Sequence, residues 1–121
     1  SEHSAPPYCA LVASDEGGEI LGYASLSRFR PHSGYDKTAE DSIYVKPGFE
    51  SRGIGGALMR ALFEAAEKSG LYTLTAWIDS ENVPSVRFHE RCGFVTVGTF
   101  KNAGVLDGKK RSVVIMSRDI Q

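Results

Sequence analysis

"ESRGIGGALMRALFEAAEKSG", residues 50–70, holds three glycines within four positions, directly ahead of a regular amphipathic run. Ile54, Ala57, Leu58, Ala61, Leu62, Ala65 and Ala66 recur at steps of three and four, which makes one apolar face of a helix. Arg60, Glu64, Glu67 and Lys68 take the other side, and Glu64 stands four residues ahead of Lys68, the favourable order for a helical ion pair. Gly70 reads as the C-terminal cap. Glycine weakens a helix start, so three of them there need a cause. The first N–H groups of a helix lack intrahelical partners and carry about half a unit of positive charge. Bare glycines let a phosphate approach those groups closely, and Arg52 adds a full charge beside them. The competing explanation is a tight strand-to-helix turn that needs glycine for its own geometry.

Outward from this helix the pattern alternates. "YCALVAS" (8–14) and "ILGYASLS" (20–27) read as two strands joined by the "DEGGE" turn (15–19). Residues 28–41 are polar, contain Pro31 and Gly34, and read as a long loop, which at that length in a small domain is functional or disordered. "SIYVKP" (42–47) is a strand ended by Pro47. "LYTLTAWI" (71–78) follows the helix, so 42–78 predicts a strand–helix–strand crossover with parallel strands. Asn82 and Pro84 open a short helix that runs to about Cys92 and stops at Gly93. "FVTVGTF" (94–100) and "SVVIMSRD" (112–119) alternate apolar and polar and predict a closing antiparallel pair. The expected architecture is a mixed α/β sheet domain over residues 1–121 without an internal boundary, with 1–7 as a tail.

Bulk properties narrow the function. The chain has 121 residues, is 41% hydrophobic and 24% charged, and carries a formal net charge of -1. That balance favours neither nucleic acid nor an anionic membrane surface as a partner. No apolar run is long enough to span a bilayer and no signal peptide is visible, which points to the cytoplasm. Cys9 and Cys92 lie far apart, form no metal-ligand pattern, and read as reduced thiols. The three histidines, His3, His32 and His89, are scattered, so no metal site is expected.

Two familiar phosphate cradles fail. No G-x-x-x-x-G-K-[ST] string exists in the chain. The dinucleotide fingerprint starts at Gly53 and Gly55, but Leu58 occupies its third glycine position. A third cradle fits. "ESRGIGGA" (50–57) resembles the acyl-CoA pyrophosphate loop of the GNAT N-acetyltransferase family, with Glu50 where the family usually has Gln or Arg. "NVPSVRFHERCGF" (82–94) is similar to the family's N-x-x-[AS]-x-x-[LF]-[YH]-x-x-x-G-[FY] segment at every fixed position. "RPHSGYDKTAEDSIYV" (30–45) resembles the phosphinothricin and methionine-sulfoximine acetyltransferase branch. The resemblance covers about residues 8–120. Lys110 and Ser112 stand where that branch usually carries Trp and Asp, and a strand and two helices that precede Tyr8 in the family are expected to be missing.

The resemblance implies the GNAT fold, a mostly antiparallel twisted sheet flanked by helices. It implies acetyl-CoA as co-substrate, a small amino-acid-like amine as acceptor, no metal, and a homodimer, the usual assembly in the branch. The reaction it implies is direct attack of the amine on the thioester through a tetrahedral intermediate. Methionine sulfoximine, methionine sulfone and phosphinothricin are the implied acceptors. Glu40 is the implied general base and His89 the acid for the departing thiolate. Without the resemblance, Glu40 reads as a solvated loop carboxylate and His89 as a half-buried structural histidine. The CoA-binding set implied is Tyr44, Val45, Arg52, Gly53, Ile54, Gly55, Gly56, Asn82 and Ser85. Val45 acts there through its backbone, and Asn82 also caps its helix. Phe29, Arg30 and Tyr35 are implied for the acceptor, with Arg30 suited to a bidentate carboxylate or phosphinate contact. Cys92 as an acyl carrier is disfavoured, since no base–orienter pair stands beside it. The alternatives are a protein or other amine acetyltransferase of the same fold, a non-catalytic acyl-CoA-binding module, and a different phosphate-ligand binder.

Overall fold

The computed structural model describes residues 9–28, 37–50 and 52–120. The chain runs β1 (Ala10–Ser14), β2 (Ile20–Arg28), β3 (Thr38–Val45), α1 (Ile54–Lys68), β4 (Thr73–Asp79), α2 (Val83–Arg91), β5 (Val95–Leu106) and β6 (Lys109–Asp119). The six strands form one sheet in the order β1-β2-β3-β4-β6-β5. Among the described residues β3 and β4, the two that flank α1, are paired parallel, and the other neighbours are antiparallel. Among the described residues no helix is long and apolar enough to cross a membrane.

Helix α1 buries Leu58, Leu62 and Ala66 of the expected stripe together with Met59, which that stripe did not include, while Ala57 and Ala61 are exposed. Gly70 closes it at φ 75°, donating its N–H to the Glu67 carbonyl at 3.1 Å. The stripe packs on Ala24 and Leu26 of β2, Ala39 of β3, Leu74, Ala76 and Ile78 of β4, and Met116 of β6, in one buried cluster. The opposite face of β1–β3 carries Val12, Tyr23 and Tyr44, which are directly paired across the three strands and exposed. Tyr23 and Tyr44 stack with ring centroids 5.5 Å apart.

Two boundaries differ from the sequence reading. The strand expected at 42–47 starts at Thr38, within the stretch read as loop. Its early residues are polar, yet Ser27 and Arg28 on one side and Thr73 to Thr75 on the other hold them in the sheet. The closing hairpin is also longer than 94–100 and 112–119. Register shifts at Thr96/Gly98 and Phe100/Gly104 break the period-two pattern that would have marked the rest of β5. The hairpin turns at Asp107–Gly108, both with positive φ (52° and 77°), the geometry of a two-residue type I′ turn. Ser112, where the branch usually carries Asp, accepts the Asn102 N–H with its hydroxyl at 3.0 Å and so holds the irregular part of β5.

Candidate active site

The site begins where two strands part. The β3–β4 ladder contains only Thr38↔Thr73, Ala39↔Leu74 and Glu40↔Thr75. Beyond Glu40 the strands splay, leaving the edge of Asp41–Val45 facing a gap. An extended molecule with amide groups can pair with such an edge as a strand would. A cavity of about 770 Å³ opens along this gap, lined by Ile43, Tyr44 and Val45 of β3, the glycines 53, 55 and 56, and Asn82, Ser85, Phe88 and His89. A second cavity of about 230 Å³ adjoins it, lined by Glu40, Asp41, Trp77 and Asp79 among others. Ile43, Asn82, Ser85 and His89 line both, so they mark the junction.

Two of the three glycines have a structural cause, and the third has none. Gly53 is the N-cap of α1 at φ 77°, a left-handed conformation that side chains resist, and no side chain caps the helix there. A Cβ on Gly55 would stand 3.2 Å from the Phe88 ring, so α2 packs onto the first turn of α1 through this glycine. A Cβ on Gly56 would meet only the end of the Arg60 guanidinium, at 3.4 Å. The tight-turn reading therefore accounts for Gly53 and Gly55, and the helix start, which no side chain caps, lines the cavity.

Not every residue of the implied CoA set reaches this space. Ile54 packs inward, its Cγ2 3.3 Å from where a Cβ on Gly22 would lie. Arg52 stacks its guanidinium over the Phe49 ring at 4.6 Å, and it is not among the described residues lining the cavity. Glu50 does line it, and its carboxylate accepts the Gly48 N–H at 2.9 Å. Phe29, Arg30 and Tyr35 lie outside the described residues. Asn82 caps α2, accepting the Ser85 N–H at 3.3 Å.

His89 is almost wholly buried, at 3% exposure. Its Nδ1 lies 2.8 Å from the Ser85 carbonyl, which only accepts, so Nδ1 carries a proton. Its Nε2 lies 3.0 and 3.2 Å from the two carboxylate oxygens of Asp41, itself 6% exposed. Phe94 and Phe88 hold the ring edge-on, with centroids 4.9 and 5.5 Å away. Burial pushes the imidazole pKa down, but the hydrogen bond and charge of Asp41 outweigh it, so the value rises above the ordinary 6.5. Both ring nitrogens of His89 thus face partners inside the protein, Nδ1 the Ser85 carbonyl and Nε2 the Asp41 carboxylate. His89 also lines both cavities, so its ring stands at their junction.

Three further residues escaped the sequence reading. Asp41 neighbours Glu40 but faces the helices, because successive strand residues point to opposite faces. Asp79 lines the smaller cavity and receives Arg111 bidentately at 3.0 Å through Nε and Nη2, which holds its carboxyl below the usual carboxylate range. Arg91, in the last turn of α2, lines the larger cavity. Cys92 also lines it, but burial pushes its thiol pKa up, which makes it a poor nucleophile. Among the described residues no group of three or more His, Cys, Asp or Glu side chains is placed to hold a metal.

Comparison with known proteins bears on this arrangement. A family model described as the acetyltransferase (GNAT) family matches residues 1–94. The chain is 38% identical over 113 residues to the L-methionine sulfoximine/L-methionine sulfone acetyltransferase of Pseudomonas aeruginosa, covering 93% of this chain and 66% of that protein. It is 39% identical over 115 residues to the phosphinothricin N-acetyltransferase of Streptomyces coelicolor, covering 94% and 67%. It therefore spans about two thirds of the length of these relatives. A Salmonella typhimurium acetyltransferase solved with acetyl-CoA superposes with a TM-score of 0.88 at 32% identity, covering 94% of this chain and 65% of the other. A Sinorhizobium meliloti phosphinothricin acetyltransferase, solved in complex with acetyl-CoA, gives 0.86 at 34%, covering 93% and 60%. With a forked β3–β4 pair, an uncapped glycine helix start at its mouth and these relatives, the chain belongs to the GNAT acetyltransferase family, on the branch of the phosphinothricin and methionine sulfoximine acetyltransferases.

Proposed function

We propose that the protein transfers the acetyl group of acetyl-CoA to the amine of a small amino-acid-like acceptor, with Glu40 as general base. The observation that carries this reading is the fork. It joins a cavity that ends at the bare start of α1 to a smaller one that holds Glu40. Acetyl-CoA supplies the activated acyl group. The N–H groups of residues 53–56 receive its pyrophosphate. The free edge of β3 through Val45, with Asn82 and Ser85, receives the amide arm. Glu40, on the sheet face away from the helices, takes the proton from the attacking ammonium or its water. A free thiol ionises with a pKa of about 8.5, so at neutral pH the leaving thiolate regains a proton from water and needs no dedicated acid.

Release of CoA thiol with acetyl-CoA and a panel of acceptors tests the reading. The panel holds free amino acids, methionine sulfoximine, methionine sulfone, phosphinothricin and N-terminal peptides. Turnover with the free amino-acid class is expected. Turnover with peptides alone would transfer the assignment to a protein acceptor, as named for the Brucella melitensis ribosomal-protein-alanine N-acetyltransferase, a 34% identical structural neighbour. No turnover with retained acetyl-CoA binding would leave a binding module.

Glu50 places a carboxylate beside the phosphate end of the cavity. Glu50→Gln is expected to tighten acetyl-CoA by about two- to five-fold at low salt, since one unit-charge repulsion near water is worth about 1 kcal/mol at most. The gain should shrink in 0.5 M NaCl as the charges are screened. Titration calorimetry at the two salt concentrations reads both effects.

A further inference from the structure

Asp41 occupies a decisive place. It is the first residue of β3 beyond the last parallel pair, Glu40↔Thr75, so its side chain lies at the vertex of the fork on the helix side. Its strand neighbour on β2 is Leu26, which is fully buried, and the cluster around it is apolar. Into this surrounding it brings a carboxylate bound to His89 of α2.

We propose that Asp41 is a positioning residue for acetyl transfer: its buried ion pair with His89 locks α2 onto the vertex and sets the register between the amide-arm contacts on α2 and the base on β3. The proposal rests on the acetyl-transfer reading above. Asn82 and Ser85 occupy one end of the same helix, and Ser85 is tied to the pair through its own carbonyl. Glu40 is the residue next to Asp41 on the strand. One rigid chain of bonds therefore runs from the arm-binding helix to the base: Ser85 carbonyl, His89 ring, Asp41 carboxylate, Glu40 backbone.

An apolar pair would attach α2 at this point at no cost in desolvation, and replacement of a buried ion pair by packed hydrophobic residues is often neutral or stabilising. What an apolar contact lacks is direction. The ring meets its partners along two fixed axes, a carbonyl at 2.8 Å and a carboxylate at 3.0 Å, while two aromatic rings stop it from turning. A misplacement of about 1 Å between reacting groups costs on the order of a hundred-fold in rate, so directional anchoring at the vertex has a kinetic use. The charged and titratable groups around the pair are Glu40 of β3, Asp79 of β4 with its partner Arg111 of β6, and Arg91 and Cys92 at the end of α2. Arg118 of β6 and Arg60 of α1 add positive charge near Cys92.

The test compares wild type, Asp41→Asn, and the apolar double variant Asp41→Leu/His89→Phe. The measurements are melting temperature, acetyl-CoA dissociation constant, kcat and the imidazole ¹H–¹⁵N spectrum at pH 7.5. In wild type the spectrum should show both His89 nitrogens protonated. Asp41→Asn keeps a donor facing Nε2 of a neutral ring, so it should show one protonated nitrogen and retain kcat within about five-fold. The double variant should melt no lower than wild type and bind acetyl-CoA within about three-fold, yet lose kcat by about ten-fold or more. A neutral His89 in wild type, or a double variant with full kcat, would overturn the proposal. If the double variant fails to fold, Asp41→Ala decides instead: kcat unchanged overturns the proposal, and kcat down at least ten-fold with binding retained supports it. A wild type without turnover on any acceptor would sink the acetyl-transfer reading itself, a result separable from the others.

Discussion

Glu40→Gln is expected to lower kcat by about a hundred- to ten-thousand-fold, the usual contribution of a general base, while acetyl-CoA binds within about two-fold of wild type. Glutamine keeps the length and shape of the side chain. Position 40 is bracketed by Ser27 on β2 and Thr75 on β4, so the strand itself should not move. Stopped-flow or steady-state CoA release, with calorimetric binding of acetyl-CoA as the control, separates the two quantities. The smaller cavity offers two other carboxylates as competing bases. Asp79 is held below the ordinary carboxylate range by Arg111, which makes it a weaker base. Asp41 spends both oxygens on His89, on the opposite face of the strand. Full activity in Glu40→Gln at pH 6 to 9 would remove Glu40 from the chemistry and make Asp79→Asn the next variant to measure.

The sequence discloses those parts of this molecule that depend on local periodicity or on chain neighbours. Helix α1 is legible because its apolar stripe recurs over four turns and glycine punctuates both ends. The Asn82 cap with Pro84 marks α2 for the same reason. The parallel crossover follows from a strand on either side of a helix. The first residues of β3 are not legible, because Thr38, Ala39 and Glu40 gain their strand conformation from pairing with β4, the last two also with β2, rather than from apolar alternation. The long hairpin is hidden by its bulges, although Asp107–Gly108 is a strong two-residue turn signal that a search for such pairs would find.

The site is legible as a list of residue types and far less as an arrangement. The glycine run marks a demanding helix start, but not that Gly55 serves the contact with Phe88 while Gly53 takes the left-handed φ. Ile54 and Arg52 sit in the same short motif, yet helical geometry sends the first into the core and the Phe49 ring captures the second. His89 and Asp41 are 48 residues apart in the chain, and no periodicity links them. Only the fork, which places the first residue of β3 without a β4 partner against α2, brings them together. Strand alternation does imply that Asp41 and Glu40 face opposite ways. Given one carboxylate as the base on the outer face, the other must enter the helix side and need a partner there, which is the signal that would have found the pair.

Gly55→Asp is expected to weaken acetyl-CoA binding by about a hundred-fold or more, and Gly55→Asn far less. The two side chains share one shape, so both meet the same obstacle: a Cβ at 3.2 Å from the Phe88 ring and 3.7 Å from the Val45 methyl. That crowding shifts α2 slightly and lowers stability in both, by about 1–3 kcal/mol for an overpacked contact. What differs is charge. A carboxylate in the first turn of α1 would lie roughly 5 Å from a pyrophosphate seated on the helix start, and at an effective dielectric constant of about 20 that repulsion is about 3 kcal/mol. A phosphate at this helix end would also compete with the new carboxylate for the same N–H groups. The carboxylate itself suits a helix N-terminus, so Gly55→Asp should melt no lower than Gly55→Asn even though it binds worse. Calorimetry with acetyl-CoA and thermal melts of the two variants therefore move in opposite directions. Equal affinities for the two would show that no phosphate group sits at the start of α1, and the orientation of the cofactor along the fork would have to be reversed.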